Sequence, residues 1–269
     1  LSVVEITRRH HGLDQYEEDD YRRALRIVRW GDVWLGQRFG EDPAKEAGKK
    51  VEREDYKERV KRIIRILDNE YPNARTALYF TNPLELLVAT VLSAQCTDER
   101  VNKVTDGLFK KYGSAKDYAQ VDLAELEQDI RPTGFFRNKA KSIKAFCAAL
   151  AERFNGEVPS TLEDLVSLPG IGRKTGNLVL SEAYGIPGIV VDTHVLRLSR
   201  LIGLTKNSDP PKVEFDLMEI VPQEKWSLFS NLLILHGRAI CIARRPRHQE
   251  CKIIDLCEAG IEWKKEDPS

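Results

Sequence analysis

Leu168-Pro-Gly-Ile-Gly-Arg-Lys-Thr-Gly-Asn177 is the stretch that decides how this chain is read. A helix is predicted to end near Ser167, and Gly170 and Gly172 then permit a tight turn with positive φ, where a Cβ is disfavoured. A second helix is predicted to start near Arg173. The first backbone N–H groups of a helix lack intrahelical acceptors, and the helix dipole favours an anion beside them. Gly170, Gly172 and Arg173 therefore form a candidate clamp for a nucleic-acid phosphate, which needs no side chain to read sequence. The same glycines also suit an ordinary helix–helix turn. Lys174 adds chemistry. It falls in the first turn of the second helix, where the dipole disfavours a cation; partial burial there would lower its pKa and free the amine as a nucleophile. A phosphate contact is the plainer role for this side chain.

On either side of this turn the apolar residues recur with the helical period. Val60, Ile63, Ile64 and Leu67 repeat at i, i+3, i+4 and i+7, as do Ile143, Phe146, Cys147 and Leu150. Pro83 opens an apolar run through Leu92, with Asn82 as its cap. Helices are also predicted over 98–112, 121–130, 137–154, 161–167, 173–184, 192–202, 211–220 and 224–240. No strand alternation of useful length occurs, so the fold class is all-α, built from many short helices. Residues 1–56 differ: Trp30, Trp34 and Phe39 suggest a helix within 16–39, yet Gly31, Gly36 and Gly40 interrupt the stretch. A partly disordered extension fits it equally well.

Lys and Arg number 42 and so do Asp and Glu, giving a net charge of zero, which argues weakly against a nucleic-acid partner. A local basic patch matters more than the total. No apolar run approaches the ~20 residues of a membrane helix. The five cysteines are too few and too unevenly spread for a secreted disulfide scaffold. Cys96 and Cys147 read as core residues within apolar helices, whereas Cys241, Cys251 and Cys257 cluster. The expectation is a reducing compartment, either a bacterial cytoplasm and nucleoid or a nucleus.

Fifteen residues beyond Lys174 begins Ile189-Val-Val-Asp-Thr-His-Val195, which puts Asp192 eighteen residues beyond the lysine. Asp192 emerges from a buried run and is placed to cap the next helix. An acid there could also stabilise positive charge on a sugar or move a proton at Lys174. These two segments resemble the helix–hairpin–helix DNA glycosylase superfamily, and Leu168 to Thr175 with Val191 to His194 resemble its endonuclease III branch almost residue for residue. The resemblance spans residues 60–258. It implies that Lys174 is the Schiff-base nucleophile and Asp192 the catalytic carboxylate of a bifunctional glycosylase and abasic-site lyase acting on oxidised pyrimidines. His194 joins the DNA-binding set.

The resemblance also covers Asn82-Pro-Leu-Glu-Leu-Leu-Val-Ala-Thr-Val-Leu-Ser-Ala-Gln-Cys-Thr-Asp98 and Arg131-Pro-Thr-Gly-Phe-Phe-Arg-Asn-Lys-Ala140. It implies that Gln95 fills the space of a flipped nucleotide, its amide pairing with the orphaned base. Phe135 would be a second wedge, although many members of the family carry leucine there and alanine at the place of Gly176. Chemistry at C1′ requires the nucleotide to leave the stack, at a cost of a few kcal/mol that inserted side chains partly offset.

Cys241-x6-His248-x2-Cys251-x5-Cys257 places four metal-binding side chains within seventeen residues. Endonuclease III proteins carry four cysteines at this spacing around a [4Fe–4S] cluster. Here His248 stands second. It could ligate a [4Fe–4S] cluster, the favoured reading; the cluster could have three irons; or Cys3His could hold zinc. Arg244, Arg245 and Arg247 lie on the same loop and would meet DNA phosphates.

The reading is of a monomeric enzyme on damaged double-stranded DNA, with two helical lobes. Residues 82–195 form one, and 57–81 with 196–269 form the metal-cluster lobe. A weakly active or lyase-only relative, and a non-catalytic hairpin module, are the alternatives.

Overall fold

The computed structural model describes residues 43–266, with side chains from residue 55 onward. The helix expected within 16–39, with Trp30, Trp34 and Phe39, lies outside the described residues. From residue 47 onward the described residues make one compact unit. The helices are α1 (Pro43–Glu70), α2 (Pro83–Leu92), α3 (Asp98–Lys111), α4 (Ala115–Gln120), α5 (Leu123–Asp129), α6 (Phe136–Arg153), α7 (Leu162–Val166), α8 (Arg173–Ala183), α9 (Thr193–Ile202), α10 (Pro210–Ile220), α11 (Trp226–Ala239) and α12 (Glu258–Glu266), with four 3-10 turns between them. No strand occurs among the described residues, so the fold is all-α as expected. None of these helices is long and apolar enough to cross a membrane.

Local chemistry explains where helices start. Asn82 accepts the Glu85 amide at 3.0 Å and Pro83 opens α2. Thr97 caps α3, Asp122 caps α5 and Asp209 caps α10. Ser114 and Asp117 form a reciprocal capping box on α4, a helix too short to show an apolar period in the sequence. The helix expected over 121–130 begins only after Asp122, and the one expected over 224–240 opens with the 3-10 turn Gln223–Lys225. Helix α12 was not anticipated.

Helix α2 buries Leu86, Leu87, Val88, Ala89 and Leu92 and packs against α3, α6 and α8. It sits in a buried cluster that runs from Leu78 through Leu126, Phe146 and Leu165 to Leu180. Each fully buried Leu or Ile side chain contributes about 1.5–3 kcal/mol of transfer free energy. Val60, Ile63 and Leu67 of α1 are buried too, as are Val195 and Leu198 of α9, which packs against α11 and α12. Cys147 is buried, which pushes its thiol pKa up. Cys96 corrects the expectation: α2 ends at Leu92, so Cys96 lies in the following turn and is only half-buried.

Candidate active site

The hairpin joins α7 to α8. Gly170 adopts φ +78°, and a Cβ there would lie 2.5 Å from Ser142 Oγ of α6. Gly172 differs from the expectation: its φ of −100° and ψ of 173° are extended, so only Gly170 turns through the left-handed region. Gly172 serves as the N-cap of α8 and brings no side chain to the first-turn amides. Gly176 is buried where α8 meets α7, and the Leu162 methyl fills the space a side chain would need. The glycine is thus a packing choice at the base of the hairpin.

Lys174 lies in the first turn of α8 and is exposed, so the protein does not supply the partial burial that the sequence suggested. Asp192 is half-buried and caps α9, its Oδ1 accepting the Val195 amide at 2.8 Å. One buried side chain links the two helix starts. Asn177, a turn beyond Lys174, donates from Nδ2 to the Ile189 carbonyl at 2.9 Å. Ser230 of α11 accepts the Val190 amide at 2.9 Å, fixing the same segment from the other side.

His194 packs on Gly237 of α11, where a Cβ would come within 2.8 Å of Nδ1, and this Nδ1 is buried without a partner. Burial chiefly holds the imidazole pKa below its ordinary value; Arg238 and Arg197 push the same way and Asp192 opposes them. Arg238 also pairs with Asp98 at 2.9 Å, joining α11 to the start of α3.

Gln95 and Phe135 share an unusual backbone. Their φ angles are +53° and +48°, in the left-handed region that side chains disfavour. Both are exposed, Phe135 by 63%. Backbone strain of this kind clusters at functional sites, and among the described residues only Asn155 shares it. Arg131 and Arg137 flank the Phe135 turn, their guanidinium groups 5.8 and 5.7 Å from the Phe136 ring. Beneath both turns lies Lys139. It is 5% exposed and donates to the Leu92 and Thr133 carbonyls, each at 2.8 Å. The sequence offered a signal for it, a lysine in register with the apolar face of Ile143, Phe146 and Leu150.

The arginines divide. Arg173 donates to both oxygens of buried Glu214 on α10 and lies over the Phe215 ring at 5.4 Å. Arg247 donates to the Ala239 carbonyl and pairs with Glu250 at 3.0 Å, so it shapes its own loop. Arg244 and Arg245 are exposed.

Cys241, His248, Cys251 and Cys257 line one cavity of about 350 Å³, with Arg197, His236 and mostly apolar side chains. Cys251 Sγ faces His236 Nε2 at 3.6 Å, and the Tyr71 hydroxyl stands 3.3 Å from the other ring nitrogen. Arg197 lies 3.6 Å from Cys241 Sγ and donates to the Cys241 carbonyl at 2.7 Å. His248 rests edge-on against Trp263 at 4.9 Å. No three His, Cys, Asp or Glu among the described residues converge closely enough for a single ion. Three thiols and an imidazole spread around a cavity of this size fit a group of several atoms.

These features match a class of known proteins. Residues 88–223 match the HhH-GPD superfamily base excision DNA repair proteins. Endonuclease III of Synechocystis sp. is 52% identical over 205 residues, which cover 76% of this chain and 94% of that protein. Endonuclease III of Bacillus subtilis is 48% identical over 191 residues, covering 71% and 87% respectively. A trapped endonuclease III–DNA covalent intermediate has a similar fold, with a TM-score of 0.73 at 45% identity over 77% of this chain and 98% of that one. The chain belongs to the endonuclease III family.

Proposed function

We propose that this chain is a bifunctional DNA glycosylase and abasic-site lyase that removes oxidised pyrimidines from double-stranded DNA in base excision repair. The observation that carries the reading is the joined pair of helix starts, Lys174 on α8 and Asp192 on α9, held together by the buried Asn177 bond to Ile189. The relative trapped as a covalent intermediate with DNA supports the same chemistry.

The reaction runs as follows. The first-turn amides of α8, uncapped by any side chain, bind a phosphate and draw the backbone into the site. Gln95 and Phe135 enter the stack as the damaged nucleotide swings out. Lys174 is exposed in the free protein and open to the bound DNA. The neutral amine attacks C1′, the C1′–N bond breaks, and the base leaves with its electron pair and takes a proton from water. Asp192 stabilises the positive sugar and then accepts the amine proton. Opening of the sugar ring gives a Schiff base. Loss of a C2′ proton and departure of the 3′ phosphate oxygen cut the strand, and water releases Lys174.

Cys241, His248, Cys251 and Cys257 are the residues that would hold an iron–sulfur cluster. The family's iron–sulfur cluster and the three thiols favour a cluster there over a single zinc. A group held there would tie the 241–257 loop, and Arg244 and Arg245 on that loop would then meet DNA phosphates. We read residues 82–195 as one lobe and 57–81 with 196–269 as the other, with DNA lying between them; the buried cluster from Leu86 to Leu180 lies within the first, and Leu78 packs into it from the connecting segment.

Borohydride reduction tests the proposal. Wild type should be trapped on thymine-glycol and abasic duplexes, and Lys174→Gln on neither. Trapping on abasic DNA alone would make the chain a lyase with a different base pocket. Binding without trapping would make it a DNA-binding hairpin module.

A further inference from the structure

Lys139 is the most deeply buried lysine near the strained turns, and its two hydrogen bonds reach different elements. The Leu92 carbonyl ends α2, three residues before Gln95. The Thr133 carbonyl ends the 3-10 turn Arg131–Thr133, two residues before Phe135. Lys139 also lies one turn into α6, and its backbone amide bonds the Phe135 carbonyl at 3.2 Å. The ammonium therefore stands at the point where both wedge turns begin.

Electrostatics favour that position only in part. The last carbonyls of α2 lack intrahelical donors, and a cation is favoured at a helix C-terminus. Burial still disfavours the charge and holds the Lys139 pKa below the ordinary lysine value, with neighbouring Cys96 opposing the shift. If filling space were the only requirement, a methionine of similar length would pack there with no charge to desolvate. What the ammonium adds is a fixed distance between two backbone segments. Neither segment has a left-handed residue for packing reasons alone: Gln95 and Phe135 project outward from their turns.

We propose that Lys139 is a positioning residue that clamps the two wedge turns into one rigid unit, so that Gln95 and Phe135 enter the duplex together. The inference rests on the reading of those two residues as wedges. It assigns Lys139 no contact with DNA or with the reacting atoms. Its effect appears only where a nucleotide must be levered from a stack. An abasic site in single-stranded DNA needs no lever, so cleavage there serves as the internal control.

The test compares single-turnover rates of wild type and Lys139→Met on a thymine-glycol duplex and on single-stranded abasic DNA. The expected result is a loss of about tenfold or more on the duplex, in the maximal single-turnover rate with little change in the half-saturating enzyme concentration, and a change within about twofold on the single strand. Stopped-flow fluorescence of 2-aminopurine opposite the lesion should show slowed flipping in the variant. Gln95→Ala and Phe135→Ala should be strongly non-additive in the wild-type background and close to additive with Lys139→Met. Equal losses on both substrates, or unchanged coupling, would overturn the proposal and leave the glycosylase reading intact. If neither Gln95→Ala nor Phe135→Ala slows flipping, the wedge reading falls and the clamp with it. Should Lys139→Met not fold, Lys139→Gln keeps a donor for one carbonyl, and the same duplex to single-strand ratio decides.

Discussion

Gly170 carries the whole turn of the hairpin. An alanine there would hold a Cβ at φ +78° and press it to within 2.5 Å of Ser142 Oγ. Left-handed backbone costs an L-residue about 1–2 kcal/mol before any clash. Gly170→Ala should lower the unfolding free energy by at least that amount in urea, and weaken abasic-DNA binding by fluorescence anisotropy. Gly172→Ala should be the milder change, because its backbone is extended.

His194 makes stability depend on pH. Its folded pKa lies below the ordinary value of 6.5, so between the two the unfolded chain binds more protons. Stability therefore rises with pH across that window and is lost as acid protonates the ring. Wild type should lose more melting temperature than His194→Gln on going from neutral to mildly acidic buffer; parallel curves would remove the ring from this role. At this scale the sequence was a good guide to residue types and a poorer one to surroundings. The turn lysine and the capping aspartate were legible because hairpin and cap are local. The exposure of Lys174 was not, since it depends on what lies opposite in space.

Between elements, paired side chains set the geometry. Arg173 sits at the start of α8, and its partner Glu214 on α10 has a side chain only 7% exposed. With Arg173 39% exposed, solvent weakens the pair, so Glu214→Gln should cost only about 1 kcal/mol. Amide hydrogen exchange over residues 170–176 should quicken in that variant, and unchanged exchange would mean the pair does not hold the hairpin. No sequence pattern links positions 173 and 214, so this pair is not legible in the sequence. Helix α4 escaped notice for a different reason: six residues give too little apolar period, although Ser114 and Asp117 spelled out its cap. Lys139 was visible as a charge on an apolar face, but its two carbonyl partners come from elements folded onto it.

Across the molecule, zero net charge is compatible with DNA binding because the cations are sorted by use. Arg173, Arg238 and Arg247 are engaged within the protein, while Arg244 and Arg245 are exposed on the loop of the cysteine cavity. Each phosphate contact removed should flatten the salt dependence of log K by about 0.9. Arg244→Ala with Arg245→Ala should thus reduce the slope by about 1–2 and weaken binding to every sequence alike. An unchanged slope would locate the DNA elsewhere. The overall all-α architecture was legible because helical period and caps recur along the chain. How the cysteine loop meets the rest was not, because Arg197, His236 and Tyr71 reach it from distant segments.

The left-handed backbone at Gln95 and Phe135 has a consequence for anyone who would improve this protein. Glycine at either position would relax the chain, so heat resistance and lesion removal pull those two codons in opposite directions. A library screened for thermal endurance alone would enrich glycine there and, with the proposed wedges gone, yield sturdy proteins that no longer open the helix. A screen that scores both properties would have to find its stability elsewhere, at surfaces the DNA never meets.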